Sequence, residues 1–151
     1  MTTYASELTA NKALATGWLL NLNQRRLDEM LRTTADDWQM HGGPPALPTG
    51  KAGLRALIDH IGPIHQTWTI HDVIAEGDRV VVRATNRCVQ DSFLGLPAAG
   101  IWQEFTATFT FRISGGLVHE IWRNADDLGR VLQLGATLTA PNSSDPTSPH
   151  R

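Results

Sequence analysis

The sequence predicts an α+β protein, with helices first, then a curled antiparallel sheet, then a short closing helix. Three observations carry this. Apolar residues recur at helical spacing near the N-terminus, with Ala13, Trp18, Leu19 and Leu22 on one stripe and Leu54, Leu57, Ile58 and Ile61 on another. After residue 66 the period changes to two. In IWQEFTATFTFRI (101–113), Phe105, Ala107, Phe109, Phe111 and Ile113 alternate with Glu104, Thr106, Thr108, Thr110 and Arg112. Third, the helical and strand segments are segregated along the chain, and such segments pack as helices against one sheet face.

The elements follow in order. Residues 5–22 read as a helix, and 25–33 as a shorter one with Leu27, Met30 and Leu31 on one side. Asp37 to His41 is a brief strand, and HGGPPALPTG (41–50) is a loop by its glycines and prolines. Residues 51–61 form the third helix, stopped by Gly62 and Pro63. QTWTIHDVIA (66–75) and RVVVRATNRCVQ (79–90) are strands joined through the tight turn EGDR (76–79). SFLGLPAAG (92–100) is a loop. Residues 101–113 are the third long strand, SGG (114–116) a turn, and LVHEIWRNA (117–125) the fourth strand. Leu128, Val131, Leu132 and Leu134 mark the buried face of a final helix. Residues 1–139 thus read as one domain, and APNSSDPTSPHR (140–151) as a disordered tail.

Composition excludes several function classes. Thirteen basic against fifteen acidic side chains leave a net charge of −2, which argues against a general nucleic-acid binder. No apolar run is long enough to cross a membrane, and GWLLNL (17–22) is too short for a signal-peptide core. Cys88 is the only cysteine, so no internal disulfide can form and a reducing cytoplasm is the simplest compartment. It has no His or Asp signature beside it and reads as inert. The Asn-Ser-Ser at Asn142 would be a glycosylation acceptor only in a secreted chain. No glycine pattern fits a dinucleotide site or a P-loop, and there is no G-x-S-x-G elbow. His65, His71 and His119 are scattered without zinc-site spacing, so no metal site is expected.

Polarity concentrates in HEIWRNADDLGRVLQLG (119–135), where the last strand meets an apolar helix. Strict alternation puts Trp122, Asn124 and Asp126 on one face and Ile121, Arg123 and Ala125 on the other. If the first face looks into a hollow between sheet and helices, Asp126 is a desolvated carboxylate able to act as general acid or base. The same residue precedes an apolar segment and fits a helix N-cap, with Asp127 in the first turn, so both roles stand open. His41, at a strand end, is a candidate to shuttle a proton or orient an enolate. Asn86 shares parity with Val80, Val82 and Ala84 and points inward, which leaves Arg83 outside. Trp18, Trp38, Trp122 and Phe109 are candidate walls for a flat ligand.

These residues carry a resemblance. The run EIWRNADDLGRVLQLG resembles the C-terminal signature of SnoaL-like polyketide cyclases, of the nuclear transport factor 2-like (cystatin-like) superfamily. MHGGPPALPTGKAGLRALI (40–58), VIAEGDRVVVRAT (73–85) and FLGLPAAG (93–100) agree in order and spacing. The resemblance implies a cone of helices wrapped by a curved sheet around a deep apolar pocket. It also implies cofactor-free intramolecular aldol chemistry and a homodimer formed through the outer sheet face. The family's acid/base aspartate lies four residues after the strand tryptophan, which falls on Asp126. The sequence departs where the family carries Gly-Thr-His, reading Arg87, Cys88 and Val89, and Ala99 stands for the threonine of Pro-Thr-Gly. The expectation is a cofactor-free cyclase, dehydratase or isomerase acting on a hydrophobic cyclic or polyketide-like molecule. A non-catalytic small-molecule-binding or accessory protein of the same fold is the alternative.

Overall fold

Helical and strand periodicity translate into four helices and seven strands in the computed structural model, which describes residues 3–141. The expected tail therefore falls, from residue 142 onward, outside the described residues. The helices are α1 (Tyr4–Gln24), α2 (Leu27–Arg32), α3 (Gly50–Ile61) and α4 (Asp127–Gln133). The long strands are β1 (Thr34–His41), β2 (Ile64–Glu76), β3 (Arg79–Gln90), β6 (Gln103–Ser114) and β7 (Leu117–Ala125). Two short strands, β4 (Ser92–Phe93) and β5 (Leu96–Pro97), form a hairpin inside the expected 92–100 loop.

Thr3 caps α1 by accepting the Ser6 N–H, and Arg25 ends it in the left-handed conformation, bonding back to Asn21 and Leu22. Only the C-terminal half of α1 reaches the core, through Ala15, Trp18, Leu19 and Leu22. Helix α3 buries Leu54 and Leu57, as its spacing predicts. Ile58 and Ile61 pack at the margin of the same core. Among the described residues no helix is long and apolar enough to cross a membrane.

The five long strands make one sheet in the order β1-β7-β6-β3-β2. Four pair antiparallel as expected. Strand β1 differs: it starts at Thr34 and runs parallel to β7, with His41 beside Trp122. The sheet is therefore mixed, since β1 takes the far edge once the β6–β7 hairpin has returned. Such a non-local pairing leaves no mark on a local pattern. Bulges interrupt the ladder between Ile70 and Asp72 of β2, and where Arg112 and Ile113 of β6 meet β7. They bend the strands into the curve that wraps the helices.

The sheet's inner face supplies Val80, Val82 and Ala84 from β3 and Phe105, Ala107, Phe109, Phe111 and Ile113 from β6, all buried as the period of two predicts. Trp18 meets Phe111 edge-on at 5.8 Å, and Trp68 meets Phe109 edge-on at 5.3 Å. Trp38 of β1 is fully buried against α3. Gly53 makes that approach possible: a Cβ there would overlap the Pro48 carbonyl oxygen and press on the Trp38 ring at 3.0 Å.

Alanine inside a helix normally stabilises by about 1 kcal/mol relative to glycine. Gly53→Ala is expected to reverse that sign and cost about 1–3 kcal/mol, because the backbone contact cannot relax. Urea unfolding followed by circular dichroism measures it.

Candidate functional site: a cavity between the helices and the sheet

The alternation of β6 and the apolar stripes of α1 and α3 leave a cavity of about 460 Å³ between sheet and helices. Trp18 and Leu22 of α1 and Leu57 and Ile61 of α3 form one side. Trp68, Phe105 and Phe109 form the sheet wall, and Met40 closes the β1 edge. The mouth is bordered by the 42–45 loop, by His60, and by the β4–β5 hairpin through Phe93 and Leu94. A chamber of this size with aromatic walls suits a small molecule.

One end of the cavity is polar, built by Arg123, Asp127, Arg130 and Gln90. Asp127 is the only carboxylate in the lining among the described residues. Arg123 donates to both of its oxygens at 2.7 Å, a bidentate pair that joins the end of β7 to the first turn of α4. Arg123 also donates to the Gly42 carbonyl at 3.1 Å. Gly42 has positive φ (79°), and a Cβ there would overlap the Arg123 carbonyl oxygen, so only glycine lets the loop close on the strand.

Arg130 is 5% exposed. Its Nε donates to Gln103 Oε1 at 3.0 Å and its Nη2 to Gln90 Oε1 at 2.9 Å. The guanidinium lies over the Phe93 ring at 3.5 Å and the Phe105 ring at 4.7 Å. Burial pulls its pKa below the usual guanidinium value, with Asp127 opposing the shift. Burial likewise pushes the Cys88 thiol up, which holds it in the unreactive protonated form.

The site residues expected from sequence divide. Trp18 and Phe109 line the cavity. Asn86 points inward and is fully buried, but it is spent in the core, donating to Gln66 at 3.1 Å, and is not part of the lining. Trp38 is core packing, also outside the lining.

Trp122, Asn124 and Asp126 lie on the opposite side from the one expected. Val118 is buried, and strict alternation from it would turn those three inward. The bulge intervenes: Ile113 pairs with Val118, yet Arg112 pairs with Glu120, so β7 spends one extra residue there and its parity flips. Ile121 opposes Phe111 and Arg123 opposes Phe109 on the inner face, whereas Trp122 opposes Thr110 and Asn124 opposes Thr108 outside. Asn124 and Asp126 are exposed. Asp126 caps α4, accepting the Gly129 N–H at 2.8 Å. The proposed pocket carboxylate at 126 is thus corrected to its neighbour, Asp127.

His41 is also corrected to the outer face. It stacks on Trp122 at 5.4 Å and bonds Glu120 at 2.6 Å, and Glu120 also accepts from Arg112. The His41 bond, aided by Arg112, holds the Glu120 carboxyl below its ordinary range. Next to it, the bond from His119 lowers Asp37 in the same way. These are ion-pair chemistry of the outer sheet face, away from the cavity.

Sequence reasoning missed Arg123, Asp127 and Arg130. The signal for the first was the parity of β7, which a bulge hides. For Arg130 the helical pattern pointed the wrong way. Leu128 and Leu132, expected inside, are 50% and 44% exposed, and Arg130 is the buried residue of α4.

An α+β cone with an apolar, polar-ended cavity defines a small-molecule-binding fold. Residues 15–121 match the SnoaL-like domain, and the chain belongs to that family. Among solved structures it is similar to TsrD from Streptomyces laurentii, at 26% identity over 91% of this chain and 100% of that one, with TM-score 0.75. It is similar also to IdmH from Streptomyces antibioticus, a protein proposed to be a polyketide cyclase, at 25% identity over 83% and 99%, with TM-score 0.70. An LEH-like epoxide hydrolase of M. tuberculosis shares the fold, at 17% identity over 85% and 91%, with TM-score 0.69. No curated protein matches the chain at a significant level.

Two outcomes are expected. Asp126→Ala costs about 0.5–2 kcal/mol in urea unfolding, while Asp126→Ser, which caps equally well, restores most of it. The lowered Glu120 stabilises the fold above its unfolded pKa of about 4.3 and loses that contribution as pH falls through its folded value. Glu120→Gln therefore flattens the acid limb of a stability–pH profile below about pH 5.

Proposed function

We propose that the chain is a cofactor-free acid/base enzyme of the cyclase, dehydratase or isomerase kind. Its substrate is a hydrophobic, cyclic or polyketide-like ketone held in the cavity. The observation that carries this is the pairing of one cavity carboxylate, Asp127, with a guanidinium, Arg123, at the end of an apolar chamber. Asp127 takes a proton from the carbon next to a carbonyl. The electron pair moves onto the carbonyl oxygen, and Arg123 stabilises the enolate that forms. The aromatic walls exclude water, which strengthens both interactions. Ring closure, dehydration and double-bond shift all proceed from that enolate. Asp127 takes the role expected of Asp126, and Arg123 the role expected of His41 or Asn124.

The same clamp favours a second reading. Both Asp127 oxygens are engaged by Arg123, as suits a purely structural pair in a non-catalytic ligand-binding protein.

The two readings part on a probe ketone. With 2-tetralone in deuterated buffer, the chain is expected to accelerate exchange of the C1 protons above the buffer rate, read by NMR. Asp127→Asn lowers that rate at least about 100-fold while the ketone still quenches tryptophan fluorescence. A bound ketone with no acceleration by the unmodified chain leaves only the binding reading.

A further inference from the structure

The Arg123–Asp127 pair is charge-balanced, and neither reading of it uses Arg130. The polar end of the cavity therefore holds one cation in excess. Burying a guanidinium without a counter-charge is expensive, and proteins ordinarily set a carboxylate against it. Among the described residues no carboxylate forms an ion pair with Arg130. Its protein partners are two neutral carboxamide oxygens and two aromatic faces. Gln103 is itself tied down, donating to the Ile101 carbonyl at 3.0 Å, and Gln90 donates to the Ser92 carbonyl at 2.6 Å. Both carboxamides are thus oriented with their oxygens toward the guanidinium. Nη1 makes no hydrogen bond among the described residues. The arrangement fixes a positive fork in the cavity lining; the lining's carboxylate, Asp127, acts on it only through space and is already clamped by Arg123.

We infer that the cavity's ligand is an acid, whose carboxylate binds Arg130 while its apolar body lies along Trp18, Trp68 and Phe109. The inference rests on the reading that the cavity holds a small molecule, and it adds the charge class. A neutral ketone of the same shape fills the apolar part of the chamber but leaves the buried cation uncompensated. An acid supplies the missing charge through charge-assisted hydrogen bonds. Because guanidinium and carboxylate are both planar and forked, this contact also fixes which end of the molecule enters first. The acid group is bound at Arg130 and the reacting carbon is presented to Asp127, three residues earlier on the same helix.

Tryptophan quenching tests this on the full chain, with 2-naphthoate and indole-3-acetate compared with their uncharged methyl esters. The acids are expected to bind at least about tenfold more tightly than the esters. Arg130→Met removes the preference and keeps ester binding, while Arg130→Lys keeps part of it. Equal or tighter binding of the esters by the unmodified chain overturns the inference, as does binding by none of the acids. An undiminished preference in Arg130→Met overturns it too. The unmodified chain alone decides the first two outcomes, so a variant that fails to fold does not rescue the idea. Loss of the tetralone exchange with the acid preference intact removes the enzyme reading and leaves this one standing. The converse result removes this one alone.

Discussion

A single extra residue in β7 governs the chemistry of the cavity. Between Val118 and Glu120 the strand bulges against β6, and every side chain beyond that point changes face. Without the bulge, an indole, a carboxamide and a carboxylate would enter the interior, and Arg123 would sit in solvent. With it, Ile121 meets Phe111, Arg123 meets Phe109, and Ala125 meets Ala107 on the inner face. The ladder carries on past the strand, where the Asp126 N–H donates to the Thr106 carbonyl at 3.0 Å. That bond fixes where α4 begins, and so which of two adjacent aspartates caps the helix and which turns to the cavity.

The electrostatics of the polar end follow from this placement. Arg123 arrives on a rigid strand and Asp127 on the first turn of a helix, and their bidentate bond ties the two elements together. A close, fully bonded pair of this kind offsets much of the desolvation each ion suffers. Among the described residues Arg130 has no such partner. Carboxamide oxygens and ring faces soften its burial without neutralising it. The cavity therefore combines apolar walls with an end where one guanidinium has no directly paired carboxylate among the described residues.

Much of the fold was legible because it depends on local periodicity. Phe105 to Ile113 alternate so regularly that their inner face is read directly from the chain, and the stripes of α1 and α3 are equally plain. Gly77 and the Gly115–Gly116 pair mark the hairpin turns by their positive φ. The parallel pairing of β1 with β7 was not legible, because it joins residues some eighty positions apart. The same limit applied to the site. Trp18 and Phe109 were found because they lie on regular elements. Asp126, Asn124 and Trp122 were placed on the wrong face because alternation was carried through a bulge that has no signature in LVHEIWRNA. His41 followed Trp122, its neighbour across β1 and β7, to the outer face.

Helix α4 shows why hydrophobic pattern alone could not find Arg130. Seven residues make barely two turns, and the apolar area available to orient so short a helix is small. Directed bonds decide instead. Asp126 anchors its start, Arg123 holds Asp127, and Gln133 bonds both the N–H and the carbonyl of Glu104, at 2.8 and 2.7 Å. These contacts fix the helix about its own axis so that Arg130 faces Gln90, Gln103 and Phe93, and Leu128 and Leu132 face outward. Leaving Leu128 and Leu132 about half exposed forgoes roughly half of the 1.5–3 kcal/mol that full burial of each would contribute. A rotation that buried them would break the caps and the ion pair and withdraw Arg130 from the cavity. The chain thus gives up apolar burial on this helix and keeps a guanidinium in the cavity lining.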